Sequence, residues 1–375
     1  MILGLRRWFG VGLLGGLMVA APLAGAAQRG HKLAINTRAV DGMLAWFDGG
    51  SRQEGISALV AQPAHQLMEQ LLNDSEPASF SFDQALRYWS QGDTLQPDTY
   101  LIRRAYQNRI KIAALVKRIG SAAMADSVYR RVAALFPRSF SIPQSYEVYL
   151  STVGWKWGDA MSFSYSEANG HYAVSNAGRP TILFNMTLVA EGYGQKLEEQ
   201  LATFTNVLAH ELFHAVYASY CSAHPEPTTS DEIGDRALSL IMNEGVAHYI
   251  ADRERMPAML QAGYEAKAFA TLADSAAIIF SSQLPDVRRE GALNGGTYGS
   301  FWQKYICIPG MFMAYHIESC LGKEALQECI AKGPIEFVRK YSHLQNWHRE
   351  LPALPKELVA LLKHGAGQKG VRGNG

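Results

Sequence analysis

The segment Ala209-His210-Glu211-Leu212-Phe213-His214-Ala215 sets two histidines four positions apart, with a glutamate directly after the first, inside an apolar run. On an α-helix, residues four apart share a face, about 5–6 Å between Cβ atoms, so two imidazoles can converge on one cation. Zn2+ takes histidine nitrogens at about 2.0–2.1 Å and keeps one position for water at a catalytic site. Glu211, offset by one residue from His210, then lies beside that water and can take its proton. Residue frequencies alone produce this H-E-x-x-H pattern in roughly one or two per cent of such chains, so its surroundings have to carry weight. They do: a glutamate and two histidines in an otherwise apolar helix are costly to bury unless paired or metal-bound. We therefore expect a zinc site.

Two ligands do not complete such a site. The metzincin pattern would place Gly at 217 and His at 220, where this chain has Tyr217 and Tyr220, and that class is excluded. Downstream, Glu244 sits in Ser239-Leu240-Ile241-Met242-Asn243-Glu244-Gly245-Val246-Ala247-His248-Tyr249, a second helical and largely apolar segment. H-E-x-x-H followed by a separate helix carrying N-E-G-x-A resembles the gluzincin metallopeptidases, and is nearest to sparsely characterised zinc-dependent peptidases with a short H-E-x-x-H core. The resemblance spans residues 146–249. It implies His210, His214 and Glu244 as zinc ligands, Glu211 as general base, and a peptide or protein as substrate. Glu244 lies further from the second histidine than in the best-known gluzincins. Asp235, His224 and His248 stand as alternatives for the third ligand; Glu244 is preferred because it is embedded in a helix, whereas Asp235 lies in the polar stretch 228–236. His248 takes the place of an acidic residue in thermolysin-like gluzincins, and is read either as a hydrogen-bonding neighbour of the ligands or as a helix-packing histidine.

Attack on a carbonyl creates an oxyanion that needs a second electrophile, commonly a Tyr or His from a later segment. Tyr305 and Tyr298, the latter within Gly295-Gly296-Thr297-Tyr298-Gly299, are the candidates, with His316 behind them. Spacing does not separate them, and with 17 tyrosines any one is more often structural. The short run Thr181 to Met186 is expected to be a strand beside the metal, at whose edge an extended substrate would pair.

These residues need elements to position them. Helical spacing governs residues 31–137, as in Val40, Met43, Leu44 and Phe47. Aromatic and β-branched runs follow (Tyr146 to Val153, Ala160 to Tyr165, Thr181 to Met186), suggesting a small antiparallel sheet. From Gln195 the pattern is helical again, with an active-site helix over about residues 200–220. The expected fold is α+β, mainly helical and zincin-like: a helical N-terminal lobe (27–137), a catalytic domain with a small twisted sheet (138–364), and a glycine-rich flexible tail (365–375).

Hydrophobic residues make up 48%, charged residues 18%, and the net charge is +1, which argues for an ordered globular chain and against a polybasic nucleic-acid binder. Arg6 and Arg7, an apolar run from Trp8 to Ala21, and Ala24-Gly25-Ala26 have the three parts of an export signal. We expect cleavage after residue 26, a periplasmic or secreted protein, and no stable membrane insertion once the signal is removed. Sec and weak twin-arginine routes both fit. Cys221, Cys307, Cys320 and Cys329 allow one or two disulfides in that compartment, or four thiols. The expected activity is an exported zinc metallopeptidase. The rival readings are a zinc hydrolase of another amide or ester, and a non-enzymatic exported zinc-binding protein.

Overall fold

A computed structural model describes residues 33–365, apart from 76–77, 94, 143–144, 157, 176–177 and 298–300. The export signal, Tyr298 and the tail beyond 365 lie outside the described residues. The fold is α+β and mainly helical. The chain divides into two compact units: residues 1–126 with 144–204, and residues 127–143 with 205–375. The N-terminal helices thus cluster with the sheet.

In chain order the first part holds β1 (Leu33–Asn36), α1 (Arg38–Asp48), α2 (Ile56–Val60), α3 (Pro63–Ser75), α4 (Phe82–Ser90), α5 (Ile102–Ile119) and α6 (Ala122–Ala133). β2 (Tyr146–Ser151), β3 (Ala160–Ala168), β4 (His171–Val174), β5 (Arg179–Asn185) and α7 (Met186–Gly192) follow. The sheet runs β1-β2-β5-β3-β4. It is mixed, not antiparallel: β1 pairs with β2 and β2 with β5 in parallel, while β3 is antiparallel to both β5 and β4. The parallel half exists because long helical connections separate β1 from β2, and no tight hairpin could join them.

The run Thr181 to Met186 is not an edge. β5 lies between β2 and β3, so its backbone groups are already paired on both sides. Its continuous burial from Thr181 to Asn185 is that of a strand covered on both faces. At the β4 edge, glutamines of α3 satisfy the open backbone: Gln66 Oε1 accepts from Tyr172 N–H at 3.0 Å, and Gln70 Oε1 from Val174 N–H at 3.0 Å. That covers an edge which would otherwise invite another strand. Met43, Phe47, Leu67, Leu71, Phe82, Tyr149 and Leu183 belong to the core that α1, α3 and α4 bury against the sheet.

α8 (Leu197–Ala223) continues into the second unit, followed by α9 (Glu232–Asp252), α10 (Met256–Gln261), α11 (Tyr264–Ile279), α12 (Asp286–Gly295), α13 (Cys307–Leu321), α14 (Lys323–Lys332), α15 (Pro334–Leu344) and α16 (Lys356–Gly365). A short 3-10 turn, Phe301–Gln303, precedes α13. α9 and α13 form the tightest pair, because Gly245 and Gly310 face each other: a Cβ on Gly245 would stand 2.5 Å from the Gly310 carbonyl carbon, and one on Gly310 only 1.8 Å from the Ile241 oxygen. The four cysteines are free thiols; Cys307 and Cys329 are buried, Cys221 half-buried and Cys320 exposed. Among the described residues, no helix is long and apolar enough to cross a membrane.

Candidate metal centre

α8 and α9 supply the site. Ala209, Leu212, Phe213 and Val216 bury most of α8's surface, which leaves His210 and His214 one turn apart on the partly open face. α9 is anchored at its start, where Asp231 accepts from the Gly234 N–H at 3.1 Å and pairs with the buried Arg289. Its Glu244 side chain meets the two histidines.

The His210 and His214 Nε2 atoms are 3.0 Å apart. Glu244 Oε1 lies 3.4 Å from His214 Nε2, and Glu244 Oε2 lies 3.6 Å from His210 Nε2. Ligands about 2.0–2.1 Å from a tetrahedral ion stand about 3.3 Å from one another, so these spacings match the edges of such a polyhedron. His214 Nδ1 donates to Asn243 Oδ1 at 3.0 Å. That fixes the tautomer and leaves Nε2 bare toward Glu244. The His210 ring bonds to the Ala247 backbone; burial, then the neighbouring His248, His214 and Lys304, push its pKa well below the ordinary value. Neutral imidazoles are the form that binds a metal.

His248 overlaps this arrangement. Its ring centroid is 4.6 Å from that of His210, and its Nε2 is 4.0 Å from Glu244 Oε2. His210, Glu244 and His248 each present a ligand atom within 4.8 Å of the others. His248 Nε2 is buried with no hydrogen-bond partner among the described residues. Burial first, then Lys304 and His214, hold its pKa far below the usual range. An orphaned buried nitrogen facing a carboxylate and two bare imidazole nitrogens is a donor set that fits a zinc ion. The two overlapping triads share His210 and Glu244, and the distances are shorter through His214 than through His248.

Other sequence candidates lie elsewhere or are engaged. Glu211 follows His210 directly and is half-buried. The Tyr305 hydroxyl donates to the Ala292 carbonyl at 2.6 Å, and burial raises its pKa. His316 Nε2 pairs with Glu265 at 2.5 Å. Asp235 accepts from the Thr229 N–H at 2.8 Å and, nine positions before Glu244 on the same helix, stands roughly 13 Å away along its axis. His224 stacks on Tyr220 with centroids 4.4 Å apart, beyond the end of α8. Asn243 as the group that orients His214 went unread in the sequence, though it sits inside the N-E-G string. So did Phe301, whose ring meets His248 edge-on at 5.2 Å, and Lys304; neither carries a motif.

The fold and site thus define a mainly helical α+β protein that joins an H-E-x-x-H helix to a carboxylate from the next helix. Residues 56–350 match the family described as "Putative zinc dependent peptidase (DUF5700)", and the chain belongs to that family. Zinc is the metal by which the family is described. No curated protein and no solved structure matches the chain.

Proposed function

We propose that this protein is an exported zinc metallopeptidase of the gluzincin type, with His210, His214 and Glu244 as ligands and Glu211 as general base. The observation that carries the reading is the convergence of the His210 and His214 Nε2 atoms, 3.0 Å apart, on both oxygens of Glu244. Zinc, when bound, supplies Lewis acidity toward a carbonyl oxygen and makes water acidic enough to ionise near neutral pH. Glu211 takes the proton from the attacking water and returns it to the amine nitrogen as the C–N bond breaks. Asn243 holds the His214 ring in place, and desolvation of the His210 ring favours its neutral form, the form that binds a metal. The class of the family supports a peptide substrate, and the N-terminal 26 residues support action outside the cytoplasm.

The test is zinc content by elemental analysis for wild type, Glu244→Ala and Glu211→Gln, alongside cleavage of a mixed peptide library. One zinc per chain, its loss in Glu244→Ala, and a zinc-loaded but inactive Glu211→Gln are expected. A wild type without zinc, or a Glu211→Gln variant that cleaves normally, overturns the assignment. Cleavage of simple esters or non-peptide amides with intact peptides would move the protein to the rival hydrolase reading.

A further inference from the structure

α5 carries six cations, Arg103, Arg104, Arg109, Lys111, Lys117 and Arg118, and no aspartate or glutamate. The whole chain has a net charge of only +1, so positive charge is concentrated on this one element. One face of the helix is apolar and buried: Ile102, Ala105, Ile112, Leu115, Val116 and Ile119. The opposite face is also apolar along its middle, yet open. Ile110 is 76% exposed and Tyr106 36%, and Ala113 and Ala114 are exposed as well. At about 100° per residue, these four side chains fall within about 100° of arc, with Arg109 at one margin, Lys111 and Arg118 at the other, and Lys117 nearly in line with Ile110. The Arg109 guanidinium lies over the Tyr106 ring, 4.2 Å from its centroid.

The acids bonded to α5 sit at its start. Asp98 accepts from the Arg103 and Arg104 N–H groups at 3.1 and 3.2 Å, and Glu191 pairs with Arg104 and accepts from Asn108 Nδ2 at 2.8 Å. Among the described residues, Lys111, Lys117 and Arg118 have no carboxylate partner. An open aliphatic ridge between free cations is the pattern of a helix that lies in the plane of a bilayer interface. The ridge enters the acyl boundary, and the long Lys and Arg stems reach back to headgroup phosphates. Charge complementarity makes those lipids anionic, each basic residue near such a surface strengthening adsorption about fivefold. The phosphates of nucleic acid would satisfy the cations but offer nothing to Ile110.

We propose that the exposed face of α5 is a docking surface for an anionic bilayer, with Ile110 and Tyr106 entering the interface and Lys111, Lys117 and Arg118 meeting lipid phosphates. The helix lies on the membrane and does not cross it. This surface owes nothing to the metal reading.

The experiment mixes the full mature chain with vesicles of phosphatidylglycerol in phosphatidylcholine, or of phosphatidylcholine alone, and reads the bound fraction by sedimentation. Wild type is expected to bind the anionic vesicles, to be released as ionic strength rises, and to leave the neutral ones unbound. The triple variant Lys111→Glu, Lys117→Glu, Arg118→Glu should bind at least about a hundredfold more weakly, and Ile110→Ser about fivefold more weakly. All four positions are exposed, so unfolding should not move. Lys267→Glu, Arg288→Glu, Lys356→Glu makes the same change of charge at exposed sites on α11, α12 and α16, and should stay within about threefold of wild type. Absent binding to anionic vesicles, equal binding to neutral ones, a control variant as weak as the α5 variant, or undiminished binding by Ile110→Ser overturns the proposal. Duplex DNA that displaces wild type from the vesicles overturns it in favour of a nucleic-acid face.

Discussion

Gly245 and Gly310 meet backbone to backbone where α9 crosses α13, and neither position has room for a side chain. The contact explains the third letter of the N-E-G string. Glu244 provides the carboxylate, and the glycine after it lets a neighbouring helix, whose first residue is the buried Cys307, come close to α9. Gly310→Ala would drive a methyl into the Ile241 carbonyl. We expect a loss of about 1–3 kcal/mol or more in denaturant unfolding, together with reduced zinc content. Unchanged stability would show that the helices separate without cost.

Asn243 orients His214. Asn243→Ala should weaken zinc binding by about 10- to 100-fold in chelator competition while thermal unfolding of the metal-free protein moves little. Equal metal affinity in the two proteins would mean that the 3.0 Å bond to His214 Nδ1 does not hold the ring.

The overlapping triads make opposite demands. If His214 is the third ligand, His214→Ala loses most of its zinc, whereas His248→Ala retains it and changes chiefly the environment of a Co2+ substitute. The reverse pattern in elemental analysis would assign the ion to His210, Glu244 and His248.

His65 gives a pH dependence far from the site. It is buried in the first unit, with Nδ1 2.7 Å from the Leu59 carbonyl and its ring 4.9 Å from that of Phe82. Burial lowers its pKa to about 4. The unfolded chain therefore binds a proton between about pH 6.5 and 4 that the folded chain refuses. Stability from this group is fully present above the unfolded value. It falls with acidification by up to about 1.4 kcal/mol per pH unit and levels off below about 4. Denaturant unfolding at several pH values should show this slope in wild type and a shallower one in His65→Asn.

The thiols should react in order of exposure. Cys320 is open, whereas burial pushes Cys221 and Cys329 up to about 12 and holds Cys307 well above the ordinary thiol range. A thiol-reactive dye should label Cys320 rapidly in the native protein and all four only after unfolding. Fewer than four reactive thiols in denaturant without reductant would reveal a disulfide.

What the sequence disclosed followed from short-range order. His210, His214 and Glu244 lie on helices whose apolar spacing is visible within a few turns, and the structure brings them together. Strand neighbours are different, because pairing is non-local. Nothing in Thr181 to Met186 says that Tyr146–Ser151 lies on one side and Ala160–Ala168 on the other, although the unbroken apolar run was a hint of burial on both faces. Leu33–Asn36, four residues long, is too short for its period to stand out against the helical pattern around it. Phe301 was invisible for another reason: it carries no motif, and only tertiary packing sets its ring edge-on to His248 of α9.

α9 is apolar nearly all the way round, with every residue from Gly245 to Ile250 buried. A helix with so broad a greasy surface could in principle roll about its long axis without exposing much more of itself. Here three successive positions forbid it. Asn243 is tied to a ring on α8, Glu244 faces the histidines, and Gly245 is the one place where a foreign backbone fits. A roll of one residue, about 100°, would in one sense put the Glu244 carboxylate into the crossing, and in the other set the bare Gly245 opposite the imidazoles. The aim of Glu244 is thus locked by an absence, the missing side chain on its neighbour, and the entropy of ordering that carboxylate is settled during folding and not when the ion arrives.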